Sequence, residues 1–131
     1  MIELTHGEGR YSIRLRALET GGNGLVVFLT GGEKPHLGGV SLAAPPYAGA
    51  SELSHCDTWD LTLPGHKDKE LARSIARQIF LAVGEPVSVN VGIHIDNASG
   101  EDIMCFGRMA EEITEKFIKQ YKVIKRRYEN V

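Results

Sequence analysis

The hydrophobic period changes along this chain, and that change restricts the fold more than any other feature. Between Arg10 and Leu18, Ile13, Leu15 and Ala17 alternate with Ser12, Arg14 and Arg16, a repeat of two that predicts a half-buried strand. Gly21-Gly22-Asn23-Gly24 is turn chemistry tolerant of positive φ, and Leu25-Val26-Val27-Phe28-Leu29 is an unbroken apolar run suited to a central strand. These two segments are expected to form a hairpin. Val40 to Ala44 reads as a third strand stopped by Pro45-Pro46, and Ser51 to Leu63 as a long fourth strand ended by Pro64-Gly65. The period then becomes helical. From near Lys67, Leu71, Ile75 and Ile79 form a stripe widened by Ala72, Ala76 and Phe80, with Asp68 and Glu70 in the first turn and Gly84 then Pro86 beyond the last. Val87 to Ile95 returns to period two. A final helix runs from about Ser99 to Tyr128 on the stripe Ile103, Phe106, Ala110, Ile113, Phe117, Tyr121 and Ile124, and Ser99 with Asp102 resembles a capping box.

The order β-β-β-β-α-β-α predicts an α+β fold: a largely antiparallel five-stranded sheet with two helices packed on one face. The 131 residues suffice for one domain with its own core, spanning 1–131, without repeat or linker. The final helix is longer than one sheet face needs, which raises the expectation of a partner or a homo-oligomer across a two-fold axis.

Net charge is −2 and the pI about 6.2, so nucleic-acid binding is not expected; the basic run Lys122–Arg127 reads as a solvated helix end. Cys56 and Cys105 make neither a disulfide framework nor a zinc ribbon, which suits a reduced, cytoplasmic setting. Met1–Arg10 lacks the pattern of a signal peptide, and no apolar run reaches the length of a membrane span.

Three segments at strand ends resist a purely structural explanation. In Gly31-Gly32-Glu33-Lys34-Pro35-His36-Leu37-Gly38-Gly39 the glycines permit close backbone approach, and Lys34 and His36 add donors; the segment reads either as a phosphate cradle or as a plain glycine-rich turn. Pro64-Gly65-His66-Lys67-Asp68 enters a helix, where free amides and the dipole favour an anion; alternatively Asp68 only caps or charges the first turn. In Gly92-Ile93-His94-Ile95-Asp96-Asn97, Asp96 can orient His94 or share a metal with it, while Asn97 is equally a turn residue. No Gly-x-Ser-x-Gly elbow is present, and neither cysteine has an adjacent base.

At these three segments the chain resembles the prenylated-flavin chaperone family, the LpdD-like, subunit-D-like proteins associated with gallate-type decarboxylases. The resemblance spans roughly Gly24 to Ile113 and rests on the order and intervals of the motifs. It implies a binding protein rather than an enzyme of turnover, one that holds prenylated FMN (or FMN) and assists its maturation or delivery to a UbiD-class decarboxylase of the gallate or hydroxybenzoate type. It further implies that Gly31, Gly32, Lys34, His36 and Gly38 line one wall of the site, His66, Lys67 and Asp68 a second, and His94, Asp96 and Asn97 a third. Trp59, Tyr47 and Leu37 are candidates to stack on the flavin. The competing expectation is a small metal-dependent enzyme with a divalent ion on His36, His66, His94 and Asp96. A third is an interaction subunit without a small-molecule site.

Overall fold

The structure, a computed structural model, describes residues 1–47, 55–64 and 68–129. Its elements are β1 (Ile2–Glu8), β2 (Tyr11–Glu19), β3 (Leu25–Gly32), β4 (Gly39–Ala44), β5 (Asp57–Thr62), α1 (Lys69–Val83), β6 (Val87–His94) and α2 (Gly100–Glu129). They build one six-stranded mixed sheet in the order β1-β2-β3-β6-β4-β5. The α+β class and both helices agree with the sequence reading.

The expected five-stranded sheet is corrected in two ways. The additional strand is β1, which pairs antiparallel with β2 from Ile2↔Ala17 to Glu8↔Tyr11. It is an edge strand of mostly polar residues, so its alternation rests on Ile2 and Leu4 alone. The second correction is that β3 and β6 pair in parallel, from Leu25↔Val87 to Gly32↔His94. Gly31 and Gly32, assigned by the sequence to a loop, are therefore the last residues of a strand. The long fourth strand starts at Asp57 in place of Ser51, with residues 51–54 lying outside the described residues.

Alternation sorts the sheet into two faces. Ile13, Leu15, Ala17, Leu25, Val27, Leu29, Val87, Val89 and Val91 point to one side and are buried there with Ile75, Ile79 and Phe80 of α1 and Phe106, Ile113 and Phe117 of α2. Arg14, Arg16, Leu18, Val26, Phe28, Leu42, Trp59 and Leu61 alternate to the other side, and neither helix covers them. Leu18, Val26, Leu42, Trp59 and Leu61 are accordingly exposed.

The helix ends form as their residues dictate. Gly84 adopts φ 73° and its amide donates to the Phe80 carbonyl, a left-handed stop to α1. At the start of α2 the Asp102 amide donates to Ser99 Oγ, and the Ser99 amide donates back to the Asp102 carboxylate. The apolar stripe of α2 is the predicted one from Phe106 to Ile124, widened on one side. Met109, Thr114 and Ile118 join its buried face, whereas Ile103 is exposed.

One polar node lies inside this core. Glu85 is 2% exposed; it accepts from Tyr121 Oη at 2.6 Å and from the Gly24 amide at 3.0 Å, and pairs with Lys125 Nζ at 3.0 Å. Lys125 also donates to the Val83 carbonyl. The node joins α2, the end of α1 and the β2–β3 turn. Burial, reinforced by the Glu85 carboxylate, pushes the Tyr121 phenol far above its ordinary value, so it remains a donor. Tyr121→Phe is expected to lower stability by about 1–3 kcal/mol by removing a donor from a buried charge, read as a shifted urea midpoint at unchanged m.

Candidate functional site

The placement of β6 between β3 and β4 determines where the first loop goes. The chain leaving β3 must cross β6 to reach β4, and it crosses at the carboxyl end, over Gly92. A Cβ built on Gly92 would lie 1.5 Å from the His36 carbonyl oxygen, so only glycine allows the crossing. Gly32 is held similarly: its φ is +75° and a Cβ there would meet the His94 carbonyl at 2.2 Å. The loop is tied to β6 by its amides. Glu33 and Lys34 donate to the His94 carbonyl, His36 to Gly92 and Gly38 to Val91. These amides face β6 and not a ligand, so the reading of this loop as a phosphate cradle finds no free donors at those four positions.

The crossing brings two of the three predicted segments together. The His36 and His94 rings meet edge to face with centroids 6.4 Å apart. His36 Nδ1 faces the Lys34 carbonyl at 2.9 Å and Nε2 faces Asp68 Oδ2 at 3.2 Å, so both ring nitrogens meet oxygen. Asp68 sits at the N-cap of α1 but makes no side-chain capping bond. Its carboxylate turns to His36 and, through Oδ1, accepts from the Ile93 amide at 3.5 Å. The alternative reading, in which Asp68 only caps or charges its own helix, does not hold: it links the helix to the loop and to β6. Of the second segment, His66 and Lys67 lie outside the described residues.

The third segment forms an exposed rim. His94 Nε2 and Asp96 Oδ1 are 3.0 Å apart, and Lys34 Nζ lies 3.9 Å from the same oxygen. Asp96 is fastened by its backbone: its amide donates to Glu33, and its carbonyl accepts from Arg10, which also pairs with Glu33. The hydrogen bond from His94, with the Lys34 ammonium beside it, holds the Asp96 carboxyl below the usual carboxylate range. Asn97 has φ 55°, a left-handed turn conformation that asparagine tolerates, so the structure gives it a backbone role.

The described members of the predicted metal set, His36, His94 and Asp96, form no metal-holding group. Among the described residues no group of three or more His, Cys, Asp or Glu side chains is placed to hold an ion. His36 and His94 each bond a separate carboxylate, and His66 lies outside the described residues.

What the loop does form is the wall of a trough on the uncovered sheet face. Gly31, Gly32, Pro35, His36 and Leu37 line one side of a cavity of about 430 Å³, and Arg14, Arg16, Phe28 and Thr30 form its floor. It continues along the strands past Val26 and Leu18. Of the predicted stacking residues Leu37 lines it, while Trp59 stands on β5 and neither it nor Tyr47 is part of the lining. Sequence reasoning missed Arg14, Arg16 and Phe28, which line the trough, and Arg10, which fastens the rim through Glu33 and the Asp96 carbonyl. The outward positions of the alternating strand Arg10–Leu18 carried the signal, but polar outward residues read equally as ordinary solvent-facing ones.

The model of the prenylated flavin chaperone LpdD-like domain family matches residues 7–122. Curated protein sequences yield no match. In fold the chain is similar to a chain from the crystal structure of a chaperone complex for yeast 20S proteasome assembly, with a TM-score of 0.59 at 14% identity, covering 95% of this chain and 99% of that one. At that identity the likeness concerns fold alone.

Two outcomes test this geometry. Gly92→Ala is expected to lift the loop from β6, accelerating hydrogen exchange at the Gly38 amide, whereas Gly107→Ala, with open space around it in α2, should stabilise by about 0.5–1 kcal/mol. Asp96→Asn should be less stable than the parent near neutral pH. Because the folded-state pKa of Asp96 is depressed, its contribution is present above the unfolded value of about 3.9 and is lost as pH falls through the folded one. Melting curves of the two proteins should therefore converge in acid.

Proposed function

The chain belongs to the LpdD-like prenylated flavin chaperone family, and on that premise we propose that it holds prenylated FMN in the trough and assists its maturation or its delivery to a UbiD-class decarboxylase. The observation that carries this reading is the trough itself. Its volume of about 430 Å³ falls within the range of small-molecule sites, roughly 300–1,000 Å³, and it pairs apolar surface at Phe28, Pro35 and Leu37 with the cations Arg14 and Arg16. A flavin mononucleotide has the matching division: a large planar ring system at one end and a phosphate at the other.

The chain's own residues then divide the work. Phe28 and Leu37 offer apolar surface to a ring; Gly31, Gly32, His36 and Gly38 shape and seat the wall. Asp68 positions His36 by its hydrogen bond, and Lys34, His94 and Asp96 form the polar rim above. In this reading Asn97 sets the turn that holds the rim, and the family resemblance assigns His66 and Lys67, outside the described residues, to the cofactor as well. When bound, prenylated FMN would supply the chemistry of the acceptor enzyme; this protein binds, orients and shields it. Release to a partner suits a site open along one side, since the trough is formed on a sheet face that no helix covers.

Anaerobic titration of the purified protein with reduced prenylated FMN, followed by absorbance and calorimetry, is expected to show saturable one-to-one binding, and the loaded protein should activate a cofactor-free decarboxylase of this class. A folded protein that takes up no prenylated FMN would refute the reading. Leu37→Ser should weaken binding roughly tenfold, the order expected from removing a buried apolar contact.

A further inference from the structure

We infer that the phosphate of the bound flavin is gripped by Arg14 and Arg16 on β2, and that Glu3 on β1 holds this pair of guanidiniums until the phosphate takes its place. The inference rests on the reading of the trough as a flavin site and adds residues and a ligand group to it.

Arg14 and Arg16 are two positions apart on one strand, which sets them on the same uncovered face roughly 6.6 Å from each other along the chain. Both turn to a single oxygen. Arg14 Nε lies 3.3 Å and Arg16 Nε 3.9 Å from Glu3 Oε1. Two cations thus share one carboxylate, and the group retains an excess positive charge. Each guanidinium carries five N–H donors in a fixed fork, so one shared oxygen leaves most of them open to another acceptor. Their side chains are 48% and 40% exposed, which leaves them accessible to an anion arriving from solution and makes the existing pair with Glu3 of the weak, solvated kind. A phosphate monoester brings three acceptor oxygens and nearly two negative charges, and it answers two forks better than one carboxylate does.

The position also has the right neighbour. Arg14 and Arg16 line the same cavity as Phe28, Thr30 and Leu37, so a phosphate on the arginines leaves the rest of the ligand beside Phe28 and Leu37 and against the His36 loop. The other two anion sites that the sequence suggested are less suited. The amides of Glu33, Lys34, His36 and Gly38 donate to β6 carbonyls, and the entry to α1 already holds the carboxylates of Asp68 and Glu70.

The decisive experiment compares prenylated FMN with the same flavin after enzymatic removal of its phosphate. The parent protein is expected to prefer the phosphorylated form by roughly tenfold to a hundredfold, and inorganic phosphate should compete with that form only. In Arg14→Gln/Arg16→Gln the preference should vanish, with both flavins bound at the parent's affinity for the dephosphorylated one. Glu3→Gln should tighten the phosphorylated flavin several-fold and leave the other unchanged, and this single variant decides the matter if the double variant does not fold. A preference that survives in the double variant overturns the inference, as does a parent that binds both flavins equally; in either case the trough remains a flavin site. A parent that binds neither form removes the underlying reading as well.

Discussion

The parallel pairing of β3 with β6 is the constraint on which the rest of this structure depends. Parallel neighbours cannot be joined by a tight turn, so β4, β5 and α1 all lie in the connection between them. Inserting β6 between β3 and β4 also forces the chain leaving β3 to cross a strand end, and the register Gly32↔His94 brings that crossing loop against the residues that follow β6. The His36–His94 contact, the Asp68 bridge from α1 and the trough wall all follow from this one arrangement. Ligand sites in open α/β sheets form outside the carboxyl ends of parallel strands for the same geometric reason: two chain segments diverge there and leave a crevice.

That crossing changes what the glycines mean. A glycine-rich loop at a strand end invites comparison with phosphate-binding loops, whose free amides point at the anion. Here the backbone approaches another strand instead, and its amides close onto the carbonyls of Val91, Gly92 and His94. On the proposed reading, recognition of charge falls instead to side chains, Arg14 and Arg16 on β2, and the loop that suggested a backbone anion site forms the wall beside them.

The core and the site are separated by the sheet. On the covered face, aliphatic strands meet α1 and α2, and the buried Glu85 node fixes the far end of α2 with hydrogen bonds that leave both carboxylate oxygens satisfied. A carboxylate at 2% exposure is destabilising unless paired, so the node specifies one docking of α2 over others. The uncovered face keeps Val26, Phe28 and Leu42 near solvent, beside the exposed Leu18 and Trp59. A helix-backed sheet with one free side supports the trough's floor from behind and leaves its open side to solvent.

By itself the sequence determined the local structure of this protein. Period two in Tyr11–Glu19 and Val87–His94, the helical stripes, Gly84 after α1 and the reciprocal Ser99–Asp102 cap depend on residues near one another in the chain, and each formed as its residues predict. The family motifs were legible for a related reason, since they are short and contiguous. Only the tertiary structure decided the rest. Nothing in the run Leu25–Leu29 states which strand lies beside it or in which direction, because an apolar strand is equally satisfied by a parallel or an antiparallel neighbour. Asp68 looked like a helix cap and became a bridge because Gly92 let His36 come close to it. Arg14 and Arg16 face solvent as alternation predicts, but alternation is silent on whether that face is covered, and only the packing of the helices and the β3–β4 loop leaves a trough beside them. His36, His66, His94 and Asp96 appeared to suit a metal when only their chemistry was counted. Distance then set His36 and His94 each against its own carboxylate, with the trough beside them.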